Sequence, residues 1–311
     1  MPLQRGYRGR FAPSPSGSLH FGSLVTALAS YLDAKQHLGS WLVRIEDLDR
    51  PRVVPGAADD ILRTLELFGL HSDEPAIYQS LRTSAYEEAL MALRKSGVAY
   101  PCTCSRKEIS DSGQHGVEGV IYPGICRNGI LPTRQAQAWR VRTDVPARDH
   151  FSAAQTGEVI KYDDLLQGRI QQHLANEVGD FVVRRADGLM AYQLAVVVDD
   201  QSQGITHVVR GADLLTSTPR QIHLQHLLNY CTPAYMHIPL AVDAHGEKLS
   251  KQTLAAPVDS RRPVATLLRL LRFLRQDPPD ELATYDLITV LDWAVTHWDT
   301  QRLNGIKQLR A

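Results

Sequence analysis

This chain of 311 residues predicts an α/β fold, a doubly wound parallel sheet with helices on both faces. Three observations point there. Short apolar runs of strand length alternate with stretches of helical spacing, and a turn rich in Pro and Gly joins the first strand to the first helix. In the middle, a stretch dense in Cys, Gly, Pro and Ser interrupts the alternation.

The residues before Pro13 read as a short strand, which Pro13 to Gly17 cannot continue, and Leu24, Leu28, Tyr31 and Leu32 then recur at helical spacing. Val43 to Ile45 is the second strand, and Ile61, Leu62, Leu65 and Phe68 mark the next helix. A helix over Ser84 to Arg94 is closed by Gly97, and the composition changes between Tyr100 and Pro132, which marks an insertion. Alternation resumes with a strand at Phe181 to Arg185, an Ala-Asp-Gly turn, the apolar run Leu194 to Val198 and a strand at Ile205 to Val209. A helix over Pro219 to Asn229 and a strand at Ile238 to Val242 follow, and the tail holds helices around Leu267 to Leu274 and Leu287 to Val295. The expected organisation is a Rossmann-type domain in two halves, 1–99 and 181–256, split by a subdomain over 100–180 and followed by a short helical tail over 257–311. In such a sheet ligands bind at the carboxyl ends of the strands, where the first turn lies.

Lys plus Arg and Asp plus Glu both number 34, so no global basic field advertises a nucleic-acid partner, and any such contact is local. No apolar run approaches the roughly 20 residues that span a bilayer, and the Arg-rich N-terminus lacks a following apolar core. The expectation is a soluble cytoplasmic monomer with no membrane partner.

The turn at His20 opens a helix, so free N–H groups and the positive end of the dipole face whatever binds there. Gly22 permits close approach and His20 adds a donor, a composition suited to polyphosphate. Far along the chain, Lys248-Leu249-Ser250-Lys251-Gln252 follows a strand and a polar turn. Alone it reads as a solvated loop. Together the two resemble the paired signatures of class I aminoacyl-tRNA synthetases, His-Ile-Gly-His and Lys-Met-Ser-Lys-Ser, in the expected order. The resemblance implies attack of a carboxylate on the α-phosphorus of ATP, accompanied by magnesium, with positioning and charge stabilisation supplying the catalysis. His20, Gly22 and Lys251 would bind ATP, with Lys248 the weaker partner. Ser23 departs from the family's second His and offers a shorter, neutral donor.

Arg10-Phe11-Ala12-Pro13-Ser14, with Arg44 to Asp49 after the second strand, resembles the glutamyl branch of that class. The resemblance implies that Arg10 and the backbone through Ser14 hold L-glutamate, that Glu46 takes its ammonium group, and that Tyr192 and Arg210 complete the pocket. Two arginines and one glutamate complement two carboxylates and one ammonium, whereas glutamine would leave a guanidinium without a carboxylate. Arg44 and Asp47 are open to a purely ion-paired role.

Three of the four cysteines lie between Cys102 and Cys126. Cys102, Cys104 and Cys126 at short spacing favour one tetrahedral, structural zinc over reduced thiols. The fourth ligand is Tyr122 or His115 on the residues alone; the resemblance, to the glutamyl-queuosine branch of the family, implies Tyr122. Cys231 is expected as a buried small hydrophobe.

About 60 residues follow the lysine loop, fewer than an anticodon-binding domain of roughly 100 needs. The resemblance is therefore to glutamyl-Q tRNA(Asp) synthetases, and it implies transfer of glutamate to queuosine in the anticodon of tRNA(Asp). The alternatives are a truncated enzyme charging tRNA(Glu), an adenylate-forming ligase for small molecules, and a non-catalytic zinc-containing tRNA-binding module. Arg127, Arg134, Arg140 and Arg142 are candidates for phosphate contact or for ion pairing.

Overall fold

The computed structural model describes residues 6–111, 114–117, 119–130, 133–134, 138–145, 159–249 and 258–311. Lys251, with its neighbours Ser250 and Gln252, lies outside them.

The chain begins with β1 (Arg8–Phe11), α1 (Phe21–Gln36), β2 (Ser40–Ile45), α2 (Ala57–Leu67) and β3 (Ile77–Tyr78). Pro13 and Pro15 end β1, and the His20 side chain caps α1 by accepting the Ser23 N–H. Leu24, Val25, Leu28 and Leu32 of α1 are buried, and β2 is buried from Trp41 to Ile45, as a strand covered on both faces must be. Next come α3 (Thr83–Lys95), β4 (Ala99–Cys102), α4 (Arg106–Ser110), the two-residue strands β5 (His115–Gly116) and β6 (Gly119–Val120), and β7 (Ala138–Val141). A hairpin of β8 (Val159–Asp164) and β9 (Gly168–His173) leads through α5 (Leu174–Glu177) to β10 (Phe181–Arg184). The second half has α6 (Tyr192–Ser202), β11 (His207–Gly211), α7 (Thr218–Leu228), β12 (Ala234–Ile238) and β13 (Leu240–Val242), and the tail has α8 (Pro263–Phe273), α9 (Leu287–Thr296) and β14 (Gln308–Arg310).

β1, β2 and β3 pair in parallel, as do β11 and β12. The two groups meet where the Thr206 N–H donates to Arg8 O at 2.9 Å and the Arg8 N–H donates to Thr206 Oγ1 at 2.8 Å. The order β3-β2-β1-β11-β12 thus reverses direction between β1 and β11, the switch point at which such sheets bind ligands. Arg10 and Arg210 stand on those two strands, one on each side of it.

Two expectations need correction. Phe181–Arg184 does not resume the parallel sheet; it pairs antiparallel with β7, which pairs antiparallel with β4. An alternating pattern specifies a face and leaves the partner open. The strand expected over Ile238–Val242 is divided at Pro239, which has no N–H for the ladder, and its second part, β13, pairs with β14. The apolar run Leu194–Val198 lies within α6, where every residue from Leu194 to Asp200 is buried. Such a helix shows no polar stripe.

The tail packs on the first half rather than standing apart. Leu267, Leu271, Val290 and Trp298 share one core with Leu24, Leu28 and Trp41. Trp298 Nε1 donates to Asp33 on α1 at 3.1 Å. Among the described residues no helix is long and apolar enough to cross a membrane.

Candidate active site

A cavity of about 580 Å³ opens at the switch point, and Arg10, Phe11, Ala12, Pro13, Ser14, His20, Gly22, Ser23, Glu46, Tyr192, Arg210 and Lys248 all line it. These are the sequence-predicted pocket residues apart from Lys251, which lies outside the described residues. The loop after β1 is pinned to the end of β2 by the Glu46 N–H donating to Pro13 O at 2.9 Å. The Phe11 ring turns away, stacking at 6.4 Å on Trp41 in the core, so its backbone is what faces the cavity.

Arg10 and Arg44 are both buried and both bound to Asp200: Arg10 Nε at 3.2 Å and Arg44 Nη1 at 2.7 Å reach the same Oδ1. Arg44 Nη2 also donates to Glu46 Oε1 at 3.3 Å. Burial pushes the Asp200 carboxyl up, but Arg10 and Arg44 outweigh it and hold it below the usual carboxylate range. At Glu46 burial wins: its pKa is raised despite Arg44 and Arg10. Only Arg10 Nε has a protein partner among the described residues, which leaves the Nη1 and Nη2 edge to the cavity.

Arg210 enters from the other side, with Nη1 at 3.5 Å from Tyr192 OH. Burial raises the Tyr192 pKa, so its hydroxyl stays protonated as a donor or acceptor. His20 Nδ1 accepts the Ser23 N–H at 3.3 Å, which leaves the proton of the neutral ring on Nε2. A Cβ at Gly22 would meet His20 Cε1 at 3.3 Å and Leu249 O at 3.4 Å, so the two signatures touch at this glycine. Lys248 Nζ pairs with Asp213 of the Arg210–Asp213 segment.

In the subdomain, the sulfurs of Cys102, Cys104 and Cys126 lie within 4.8 Å of one another. Tyr122 OH is 3.5 Å from both Cys102 Sγ and Cys104 Sγ, and Cys104 Sγ is 3.6 Å from Cys126 Sγ. With Zn–S near 2.3 Å, a tetrahedral site spaces its ligand atoms roughly 3.5 to 3.8 Å apart. These residues therefore fit zinc, and His115, exposed on β5, is not in the group. Burial pushes the Cys126 thiol up, but hydrogen bonds with Tyr122, Thr103 and Cys104 bring it down to about 7. The Arg140 guanidinium lies over the Tyr122 ring at 4.0 Å and donates to Cys102 Sγ at 3.4 Å, orienting two donors at once.

A family model described as tRNA synthetases class I (E and Q), catalytic domain, matches residues 7–263. The chain is 57% identical over 94% of its length to the glutamyl-Q tRNA(Asp) synthetase of Dechloromonas aromatica, of which 94% is covered. It is 59% identical over 85% of its length to that of Burkholderia cenocepacia, of which 87% is covered. The chain belongs to the glutamyl-Q tRNA(Asp) synthetase family. A crystal structure of a glutamate tRNA ligase from Elizabethkingia meningosepticum in complex with its amino acid shares the fold, with a TM-score of 0.78 and 23% identity over 98% of this chain and 67% of that one.

In this member of the glutamyl-Q tRNA(Asp) synthetase family, three of the four arginines named as candidates for phosphate contact or ion pairing are ion-paired. Arg127 chelates Asp180 at 2.6 and 2.7 Å, Arg142 pairs with Asp144 at 2.9 Å and Arg134 with Glu108 at 2.8 Å, while Arg140 donates to Asp180 O at 2.8 Å. Asp47 caps Ser80, accepting its N–H at 2.8 Å and its hydroxyl at 2.6 Å. Cys231 is exposed, not buried: it follows Asn229, whose left-handed backbone (φ 56°) ends α7 in a surface loop. Sequence reasoning passed over Asp199 and Asp200. The signal was an acidic pair closing an apolar run, with buried arginines needing partners. Asp199 accepts from Gln79, Arg82 and Tyr86 at 2.6 to 2.8 Å.

Proposed function

We propose that this protein activates L-glutamate with ATP in the absence of tRNA, forming glutamyl-adenylate, and transfers the glutamyl group to the queuosine base in the anticodon of tRNA(Asp). The observation that carries the reading is the pair Arg10 and Arg210, on opposite sides of the switch point, with Glu46, just past the end of β2, lining the same cavity. Two guanidinium edges and one carboxylate facing one cavity match the two carboxylates and one ammonium of glutamate. The names of relatives at 57% and 59% identity support the acceptor.

In the first step a glutamate carboxylate oxygen bonds to the α-phosphorus and the bond to the pyrophosphate oxygen breaks, with magnesium accompanying the nucleotide. His20 presents its Nε2 proton and α1 its N-terminal N–H groups to phosphate oxygens, and Gly22 keeps the approach clear. Lys251 supplies the opposing charge; Lys248, engaged with Asp213, contributes less. Ser23 serves through its N–H, which fixes the His20 tautomer. Cys102, Cys104, Tyr122 and Cys126 hold one structural zinc, which would clip the loop around Cys126 to β4.

Incubation with labelled glutamate, ATP and tRNA, with and without queuosine, tests the reading. Label is expected on queuosine-bearing tRNA(Asp) alone. Label on tRNA(Glu), or none on tRNA(Asp), overturns it.

A further inference from the structure

We propose that His237, held by Asp164, is a positioning residue that fixes the guanidinium of Arg210 in the plane in which it meets a substrate carboxylate. The inference rests on the pocket being a glutamate site. None of the cavity-lining residues belongs to the β8–β9 hairpin, yet that hairpin supplies Asp164.

His237 stands directly opposite Arg210 in the parallel register of β12 and β11 and is completely buried. Its Nε2 lies 3.1 Å from Arg210 Nε, and its Nδ1 lies 2.5 Å from Asp164 Oδ2. A guanidinium nitrogen only donates, so His237 Nε2 is the acceptor, the ring proton resides on Nδ1, and Asp164 receives it. The direction of every bond in the chain follows from that one constraint.

Asp164 is itself anchored. Its Oδ1 accepts the N–H groups of Leu166 at 3.1 Å, Gln167 at 2.9 Å and His237 at 3.3 Å. Thr218 Oγ1 accepts from Arg210 Nη2 at 2.7 Å and lies 3.1 Å from His237 Nε2, so a second contact fixes the rotation of the guanidinium. With Nε and Nη2 engaged, Nη1 beside Tyr192 is the edge left to the cavity. A long side chain ordered during folding does not lose that freedom again when ligand binds, so preorganisation appears in affinity for the group that Arg210 contacts. A buried pair that only braced the sheet would alter stability and leave the two substrates' Michaelis constants alone.

Glutamate-dependent ATP–pyrophosphate exchange by the full chain separates the two roles. His237→Phe keeps a ring and removes the acceptor; it is expected to raise the KM for glutamate about tenfold or more, as loss of a hydrogen bond to a charged group does. Its kcat and KM for ATP should stay within about threefold of native, a change too small for a lost hydrogen bond. His237→Gln places an amide oxygen within reach of Arg210 Nε and should restore most of the lost affinity. Thr218→Val, which keeps the shape of the side chain, is expected to raise the KM for glutamate about three- to tenfold, and decides the matter if His237→Phe does not fold. An unchanged KM for glutamate in a folded variant, or equal rises for both substrates, overturns the inference alone. A native protein without glutamate-dependent exchange overturns the glutamate reading and this inference with it.

Discussion

Arg10 Nε donates to Asp200 Oδ1 at 3.2 Å across 190 residues of sequence. The same oxygen receives Arg44 Nη1 at 2.7 Å, so one carboxylate ties β1, β2 and α6 together immediately behind the cavity. Two buried guanidiniums share it, and a guanidinium stays charged when buried.

Asp200→Asn therefore confronts both arginines with an amide in place of a charge. Breaking a buried ion pair costs about 3–5 kcal/mol, so urea unfolding should show a loss of about 3 kcal/mol, and exchange kinetics a KM for glutamate raised at least about tenfold. The Asp200 pKa is depressed in the folded protein. Its contribution is then present above the unfolded value of about 3.9 and lost as pH falls through the folded pKa. The acid limb of the native stability curve should be shallower in the variant.

Glu46 shifts the other way. Burial raises its pKa in the ligand-free protein, and an ammonium group binds the ionised form. Affinity for glutamate should rise as pH rises through the Glu46 pKa, at a pH above the ordinary carboxylate value of about 4.3. For stability the sign is opposite: the folded state holds this proton more tightly, so ionising Glu46 across that window lowers stability. Titration calorimetry across acidic pH checks the first effect, with Glu46→Gln as the variant that flattens the profile.

Gly22→Ala sets helix propensity against the site. Alanine favours α1 by roughly 0.5–1 kcal/mol, yet its Cβ would press on His20 at 3.3 Å and on Leu249 O at 3.4 Å. Thermal unfolding should be unimpaired while exchange activity falls about tenfold, the cost of weakening one hydrogen bond to a charged phosphate. Lys251→Ala should fall further, by about 10²–10³, as removal of a transition-state charge partner does. Equal activity in native protein and Gly22→Ala would show that the two signatures need not close on each other.

Metal analysis should find one zinc per chain. Tyr122→Phe removes the oxygen that lies 3.5 Å from two thiols, and should weaken zinc binding by about tenfold or more, measured by chelator competition. Chelation should loosen the subdomain and leave glutamate affinity unchanged. Absence of zinc with unaltered folding after chelation removes the proposed ligand set.

The helices of the first half and tail were legible because their apolar faces repeat at helical spacing: Leu24 and Leu28 of α1, Ile61 and Leu65 of α2, Leu267 and Leu271 of α8 are all buried. The pocket was legible for another reason. Its residues flank strand ends, and one side of the cavity is written in consecutive order from Arg10 to Ser14.

By itself, the sequence determined the alternating elements, the two signatures, the pocket composition and the cysteine spacing, because each is local or lies within one turn of chain. Only the tertiary structure decided which strand Phe181–Arg184 joins, that Tyr122 rather than His115 faces the thiols, and that Asp200 and the Asp164–His237 pair stand behind the pocket arginines. A buried charge demands a partner whatever its sequence distance, and burial is a property of the packed chain. The four arginines of the subdomain make the same point: their composition suited phosphate, and the carboxylates that claimed three of them come from α4 and from the segments that follow β7 and precede β10.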